Sequence, residues 1–293
     1  MWFPRIAQRR LLCNPESMLR TRIATAVAML GGFLSCLFLL PTAYFGILIC
    51  CVLIIAATEW GALTGMTRNS RALFATACAA LFAYMVWGVQ ASDATRSSVA
   101  TIYAASSVFW IVVAPIWLAR GIRIRSSFSA TALGFLVIVP CGLAAVSVHA
   151  QAPEILLGML GLIWIADSAA YFAGKAYGRH KLAPSISPGK TIEGAIGATF
   201  ASLAYASLAA LVSPLLADVV GSIGWMAYLG VATLICALSI VGDLFESLIK
   251  RQANVKDSGK LLPGHGGILD RIDSATSTLP LAALLSGYLL SMS

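Results

Sequence analysis

Charged residues are scarce in this sequence of 293 residues: only 11% are Asp, Glu, Lys or Arg, whereas 59% are hydrophobic. A soluble globular domain is usually about half apolar and about one quarter charged, so that class of protein is excluded. The mean hydropathy of +0.86 instead indicates a protein that lies in a lipid bilayer.

Motifs of several common sites are also lacking. The seven cysteines are odd in number and show no C-x-x-C spacing, which argues against a disulfide framework or a cysteine metal site. No G-x-S-x-G or H-E-x-x-H pattern occurs, and the three histidines are scattered. The sequence therefore contains no recognisable pair of a nucleophile and a base.

Long apolar runs are what the sequence has in abundance. A helix needs about 20 apolar residues to cross the hydrocarbon, and windows of that length predict about nine transmembrane helices. With a cytoplasmic N-terminus, this number leaves only Arg96 of the 20 Lys and Arg residues outside, as the positive-inside rule favours. We therefore expect an all-α polytopic membrane protein. Its approximate spans are 23–40, 45–63, 73–91, 101–119, 130–148, 154–174, 192–215, 226–248 and 275–291.

Three regions follow from the distribution of polar residues. Residues 1–22 are basic and form either an interfacial segment on the membrane or a disordered tail. Residues 23–150 hold spans one to five, which we interpret as a scaffold in which Glu59 faces either a functional cavity or the interface. Residues 151–293 hold spans six to nine and two cytoplasmic loops. We expect the catalytic region there, because a carboxylate inside a span, such as Asp167, costs about 2.5–3.5 kcal/mol.

Three aspartates carry the strongest chemical signal. Asp270 and Asp273 are three residues apart and share a helix face, and Asp243 ends span eight in the same leaflet. Oxygen ligands in that arrangement favour Mg²⁺, which commonly completes its shell with substrate phosphate. The alternative is that Asp270 and Asp273 only cap span nine and pair with Arg271 or Lys250.

Cations and a glycine turn lie close to these acids. Lys250, Arg251, Lys256 and Lys260 form either a phosphate site or an ordinary solvated charge run. The turn Pro263–Gly267 lies between the cations and Asp270, and glycine amides bind anions readily. His265 in that turn either donates to a phosphate or orients the loop.

A second cytoplasmic loop contributes Ser187, Lys190 and Thr191. The string Gly189-Lys190-Thr191 is similar to the end of a nucleotide-binding phosphate loop, but Pro184 stands where the first glycine of that motif is required. What remains is a polar turn before a helix whose amides favour an anion. With no protein nucleophile, the chemistry indicated is metal-assisted attack of one phosphate on another.

The acidic segment resembles the motif of the phosphatidate cytidylyltransferases. The matching residues are Ser247-x2-Lys250-Arg251-x4-Lys256-Asp257-x-Gly259-x3-Pro263-x-His265-Gly266-Gly267-x2-Asp270-Arg271-x-Asp273. The segment from Asp167 to Gly194 is also similar to that family, but Gly189 stands where a second lysine is expected beside Lys190.

The resemblance implies an α-helical homodimer in the bacterial inner membrane, with its active site on the cytoplasmic side. It implies condensation of CTP with phosphatidic acid to give CDP-diacylglycerol and pyrophosphate. It also implies Mg²⁺ held by Asp243, Asp270 and Asp273, with K⁺ at a neighbouring site. Lys250 joins these three as a catalytic residue. The candidate substrate-binding residues are Asp167, Ser187, Lys190, Thr191, Glu246, Ser247, Arg251, Lys256, Asp257, Lys260, His265, Gly266, Gly267 and Arg271.

Three alternatives are open at this point. Intramembrane acids also mark cation- or proton-coupled transporters, although here the polar residues cluster on one side only. An enzyme that transfers an alcohol to a CDP-lipid would carry a D-G-x2-A-R-x8-G-x3-D-x3-D pattern, which is absent. A cytidylyltransferase for another lipid phosphate fits the same residues. The net charge of +8 is explained by membrane lipids, so no nucleic-acid partner is expected.

Overall fold

The structure is a computed structural model that describes residues 30–261 and 266–290. The predicted interfacial segment 1–22, the start of span one and His265 lie outside the described residues. The described residues divide into two units, with the boundary between Pro41 and Thr42. The described helix of the first unit is α1 (Leu30–Leu39).

The second unit is built from long helices and one small hairpin. Its helical segments are α2 (Thr42–Leu63), α3 (Arg68–Ala91), α4 (Asp93–Val108), a π-helical turn (Phe109–Val113), α5 (Ala114–Arg120), α6 (Ser127–Gln151), α7 (Pro153–Tyr177), α8 (Ile192–Val212), α9 (Pro214–Gln252) and α10 (Leu269–Leu290). Strands β1 (Lys181–Ala183) and β2 (Ser187–Thr191) pair antiparallel between α7 and α8, with Lys181 opposite Thr191.

Seven segments in the described part of the chain are long and apolar enough to cross a membrane. They correspond to predicted spans two to eight, and α4, the π-helical turn and α5 form one continuous span, Asp93–Arg120. The predicted all-α polytopic membrane fold is therefore confirmed. A helix, α10, also forms at predicted span nine, and it is not among these seven segments. The total of nine crossings and the cytoplasmic N-terminus stay predictions.

Local capping chemistry sets the helix ends more sharply than hydropathy does. Thr67 accepts a hydrogen bond from the Ser70 amide and starts α3 five residues before the predicted span. Ser126 caps α6 in the same way. At α9, Ser213 is the capping residue and Pro214 follows at the first helical position, where its missing N–H costs nothing.

Helix α9 is interrupted near its start. Gly224 has φ 80° and ψ 155°, a conformation that only glycine adopts readily, so the helical path breaks there. The part after Gly224 corresponds to predicted span eight, and it continues to Gln252. Lys250 therefore lies in the last helical turn rather than in a loop.

Two faces of α9 contact different parts of the protein. Phe245 packs edge-to-face against Phe109 and Trp110, with ring centroids 5.5 and 5.3 Å away, which holds α9 against the α4–α5 span. Two residues earlier on the helix, Asp243 points elsewhere, toward the β hairpin. The scaffold thus fixes the rotation of α9 and so the direction of its acidic side chains.

Small residues let α10 approach α9 closely. A Cβ atom on Gly242 would meet the Ser277 hydroxyl and the Asp273 carbonyl oxygen. The Ser277 hydroxyl donates to the Leu238 carbonyl at 2.8 Å, and the Ser274 hydroxyl donates to the Ser239 carbonyl at 3.2 Å. Such contacts are typical of helix packing in membranes. They bring the polar ends of α9 and α10 together.

Candidate active site

The β hairpin is fixed to α9 by one buried side chain. Ile186, only 6% exposed, packs against Leu244 and Leu248, and its carbonyl accepts a hydrogen bond from Arg251 Nε at 3.3 Å. This contact holds β2 over the helix. As a result, Lys190 Nζ lies 2.7 Å from Asp243 Oδ2 and 3.4 Å from the Ile240 carbonyl.

The end of the hairpin is fixed to α8. Thr191 is buried and its hydroxyl accepts from the Gly194 amide at 3.1 Å, so it caps α8. Glu193 accepts from the Arg179 amide at 3.0 Å and lies 2.7 Å from the His180 ring. Ser187 begins β2. The role that the structure gives Thr191 is therefore a local one, and a direct contact with substrate stays a prediction.

Asp243 stands at the centre of the candidate site. Besides the ion pair with Lys190, its carboxylate accepts a hydrogen bond from Ser247 at 3.3 Å. Asp167 on α7 is close enough to interact electrostatically with both Asp243 and Lys190. The structure thus brings together predicted residues from spans six and eight and from the hairpin.

Lys250 joins a second part of the same site. Its ammonium group lies 2.6 Å from Glu246 Oε2 and 2.6 Å from Asp270 Oδ1, and its side chain is 11% exposed. Glu246 precedes Lys250 by one turn of α9, whereas Asp270 lies in the first turn of α10. Lys250 therefore ties the two helices together and neutralises part of a buried acidic cluster.

Asp270 is held by its own set of partners, and its meeting with Asp243 and Asp273 at one metal ion stays a prediction. Its Oδ1 atom faces Lys250, and its Oδ2 atom accepts from the Ser258 amide at 2.8 Å and the Gly267 amide at 2.8 Å. Within residues 30–261 and 266–290, no three His, Cys, Asp or Glu side chains stand together as a metal site. The structure contains the Asp270–Lys250 pair, and a buried carboxylate needs such partners.

Asp273 and Glu246 leave negative charge without full compensation. Asp273 accepts one hydrogen bond, at 2.7 Å from the Ser274 amide, and its carboxylate is close enough to Asp243 and Asp167 for mutual repulsion. Glu246 Oε1 is buried and has no hydrogen-bond partner among the described residues. Carboxylate oxygens in this condition suit a cation.

The described glycines of the turn before α10 contact Asp270, and their contact with phosphate stays a prediction. Gly266 has φ 81°, and a Cβ atom there would meet Asp270 Oδ2. The Gly267 amide donates to the same carboxylate. Gly266 and Gly267 therefore lie against Asp270, which occupies at least one of the amides expected to bind phosphate. Pro263, Gly264 and His265 lie outside the described residues.

The other predicted cations lie at the exposed edge of the site. The exposed residues there are Lys256, Asp257, Lys260 and Arg271. The Arg251 guanidinium donates to the carbonyls of Ile186 and Val255, at 3.3 and 3.1 Å, and lines a cavity of about 400 Å³ with Arg120 and Arg123. The lysines and arginines among them provide positive charge around the carboxylates, and their contacts with substrate stay predictions.

Two residues of this site were not in the predicted set. Ser258 contacts Asp270 through both its amide and its hydroxyl, and the same hydroxyl lies 2.9 Å from Glu59 Oε2. Glu59, from α2, also accepts from the amides of Ile268 and Leu269. The only sequence signal for Glu59 was an acid inside an apolar run, which left a functional cavity and the interface as open alternatives.

Comparison with known proteins identifies the family of this chain. A model of the cytidylyltransferase family matches residues 20–289. The chain belongs to the cytidylyltransferase family. It is 36% identical over 275 residues to a phosphatidate cytidylyltransferase of Pseudomonas aeruginosa, which covers 92% of this chain and 97% of the relative.

Two further relatives differ in how much of this chain they match. A phosphatidate cytidylyltransferase of Haemophilus influenzae is 31% identical over 287 residues, covering 90% of this chain and 96% of the relative. One of Bacillus subtilis is 44% identical over 119 residues, covering 41% and 42%. The family prediction is confirmed, and a membrane transporter is a different class of protein.

Proposed function

We propose that this chain transfers the cytidylyl group of CTP to phosphatidic acid, giving CDP-diacylglycerol and pyrophosphate. The names of its full-length relatives support this activity. The structural observation that carries the proposal is the placement of Lys190 and Lys250 among carboxylates at one end of apolar helices. A substrate with phosphates in water and acyl chains in lipid suits such a site.

The reaction needs no side chain that acts as a general base. An ionised oxygen of the lipid phosphate attacks the α-phosphorus of CTP and forms a new P–O bond. The bond from the α-phosphorus to the oxygen bridging to the β-phosphorus breaks, and pyrophosphate leaves with that electron pair. The protein therefore has to align two phosphate groups and neutralise their charge.

The two lysines take different parts in this proposal. Lys190 has one carboxylate partner and its side chain is 23% exposed, so its ammonium group can approach a substrate phosphate. Lys250 is held by two carboxylates and is nearly buried, so it orders Glu246 and Asp270 around the phosphates. The exposed Lys256, Lys260 and Arg271 add positive charge that attracts CTP.

The polar groups beside these lysines complete the proposed binding site. Ser247 and Asp167 contact or face Asp243, and they shape the region that receives the reacting phosphates. Around them we place the remaining predicted substrate contacts, which are Ser187, Thr191, Arg251, Asp257, His265, Gly266 and Gly267.

Magnesium is the cofactor that this donor set suits. Asp243 and Asp273 would hold it, because both supply hard carboxylate oxygens and they are near enough to repel each other. A bound Mg²⁺ supplies charge neutralisation to phosphate oxygens. Asp270, whose Oδ1 atom lies 2.6 Å from Lys250, is the third predicted ligand. The unpartnered Glu246 Oε1 supports the neighbouring K⁺ site implied by the family resemblance.

Location and assembly are part of the same proposal. The multi-pass helices and the bacterial relatives support a membrane protein, and we place it in the bacterial inner membrane with the site on the cytoplasmic side, where CTP is made. We also propose a homodimer, to be checked by the mass of the detergent-solubilised protein.

A direct assay tests the activity. Purified protein in detergent is given CTP and phosphatidic acid, and pyrophosphate and CDP-diacylglycerol are measured together; equal amounts are expected. Asp273→Asn should abolish both products, and Asp218→Asn, an exposed acid at the start of α9, should not. The proposal fails if the unmodified protein makes neither product, and the role of Asp273 fails if its variant keeps most of the turnover.

A substrate panel separates this activity from the remaining alternative. CTP, dCTP and ATP are compared with phosphatidic acid as acceptor, and phosphatidic acid is compared with other lipid phosphates, including isoprenoid-ether lipids. We expect the fastest reaction with CTP and phosphatidic acid. A faster reaction with another lipid phosphate would identify a cytidylyltransferase of different specificity.

A further inference from the structure

Glu59 reaches the candidate site from a distant part of the chain. It lies near the end of α2 and is 8% exposed. Its Oε1 atom accepts from the Ile268 amide at 3.0 Å, and its Oε2 atom accepts from the Leu269 amide at 2.8 Å and from the Ser258 hydroxyl at 2.9 Å. These three donors all belong to the loop between α9 and α10 or to the first residue of α10.

The loop leaves space for this carboxylate. A Cβ atom on Gly259 would meet Glu59 Oε1, and a Cβ atom on Gly267 would meet both Glu59 Oε2 and the Ser258 hydroxyl. Any side chain at either position would therefore displace the acid or the loop. Both glycines are explained by the close approach of the loop backbone to Glu59.

The charge of Glu59 is compensated by hydrogen bonds. None of the ion pairs among the described residues involves it. Its carboxylate instead faces the first amides of α10, which have no partner within the helix and carry the positive end of the helix dipole. Hydrogen bonds to an ionised acceptor are about twice as strong as neutral ones, so this contact holds the start of α10 firmly.

A continuous set of contacts leads from Glu59 to the charged centre. Ser258 bridges Glu59 and Asp270, since its hydroxyl lies 2.9 Å from one carboxylate and 3.0 Å from the other. Asp270 in turn lies 2.6 Å from Lys250. We infer that Glu59 is a positioning residue, which fixes the α9–α10 loop and thereby aims Asp270 and Lys250 without touching substrate. This inference rests on the proposed function.

The test removes the charge of Glu59 and keeps its shape. Glu59→Gln places an amide N–H₂ group against a backbone N–H, so at least one of the three hydrogen bonds is lost. We expect kcat for cytidylyl transfer to fall by roughly tenfold to a hundredfold, the effect of a small misplacement of reacting groups, with KM for CTP changed less than kcat. Glu154→Gln, which neutralises an exposed acid at the start of α7, should keep both constants.

A second readout follows the loop itself. Lys256 and Lys260 are exposed trypsin sites in this loop, and mass spectrometry identifies where the chain is cut. Glu59→Gln should be cleaved there several times faster than the unmodified protein, with the melting temperature of the whole protein nearly kept. If Glu59→Gln and the unmodified protein were cleaved equally fast and had equal kcat, the inference would be overturned. A general loss of folding without selective cleavage of this loop would also overturn it.

A double variant checks that Glu59 acts through the loop. Ser258→Ala alone should also lower kcat, and Glu59→Gln combined with Ser258→Ala should lower it by less than the product of the two single effects, because both changes break one connected set of contacts. Fully multiplicative effects would contradict the route through Ser258. If the unmodified protein makes no CDP-diacylglycerol, the proposed function fails, and the cleavage experiment still tests the position of the loop.

Discussion

Gly242 of α9 lies against Ser277 of α10 with no room for a Cβ atom between them. The neighbouring residue, Asp243, is paired with Lys190, and Asp273 on α10 is near enough to repel it. The distance between the two aspartates that we propose as metal ligands is therefore set by a helix contact one residue away.

Gly242→Ala should separate these helices. The added Cβ atom meets a backbone carbonyl, which cannot move alone, so we expect a loss of about 1–3 kcal/mol in the free energy of unfolding and a large fall in turnover. Gly230→Ala lies on the same helix with no atom within 4 Å of the new Cβ and should keep activity. Thermal unfolding in detergent and the product assay measure both effects; similar behaviour of the two variants would refute the packing argument.

Lys190→Met should affect activity far more than stability. The Lys190 and Asp243 side chains are 23% and 30% exposed, and such partly exposed ion pairs contribute only about 1 kcal/mol or less to folding. Loss of a charge aimed at a phosphate should lower kcat/KM by at least about tenfold. Lys190→Arg, which keeps the charge, is the control. Equal activity of the methionine and arginine variants would show that the charge is not used.

Lys250→Met should, in contrast, affect folding as well as activity. It would leave Glu246 and Asp270 buried without their shared cation, and breaking a buried ion pair typically costs about 3–5 kcal/mol. We expect poor folding as well as lost activity, measured as yield and melting temperature in detergent. Lys256→Met, at an exposed position of the next loop, provides the comparison and should fold normally.

Gly189→Lys should improve nucleotide binding. The family resemblance leads us to expect a lysine at this position, and a Cβ atom at Gly189 would meet nothing within 4 Å. One added exposed charge near a phosphate is worth about 1 kcal/mol or less, so KM for CTP should fall by up to roughly fivefold. Gly189→Ala controls for the change in backbone freedom. A KM that rises or stays constant would mean that this position does not face the nucleotide.

Removal of divalent cations should stop the reaction. Chelation with EDTA is expected to reduce product formation to background, and added Mg²⁺ should restore it, because the carboxylates that face each other otherwise repel one another and the substrate phosphates. Asp243→Asn should raise the Mg²⁺ concentration needed for half-maximal rate. Full turnover in EDTA would exclude the proposed metal site.

The sequence was sufficient to predict the membrane fold and the family. Seven predicted spans match helices because hydrophobic runs of this length have few alternatives in a bilayer. Helix ends were less accurate, since caps such as Thr67 and Ser213 are local hydrogen bonds that hydropathy windows do not detect. The charged segment 247–273 was equally clear, because so many charges beside apolar helices require a chemical reason.

The sequence pattern could not predict which charged groups of the site pair with each other. Spacing put Asp270 and Asp273 on one helix face, but burial decides which carboxylate takes the nearest cation, and Lys250 and the Ser258 and Gly267 amides take Asp270. The contact between Glu59 and Leu269 joins residues 210 positions apart. The sequence by itself determined which residues are available for chemistry and that they lie at a membrane boundary. Only the tertiary structure decided which charges are already paired, because pairing depends on how helices far apart in the chain pack together.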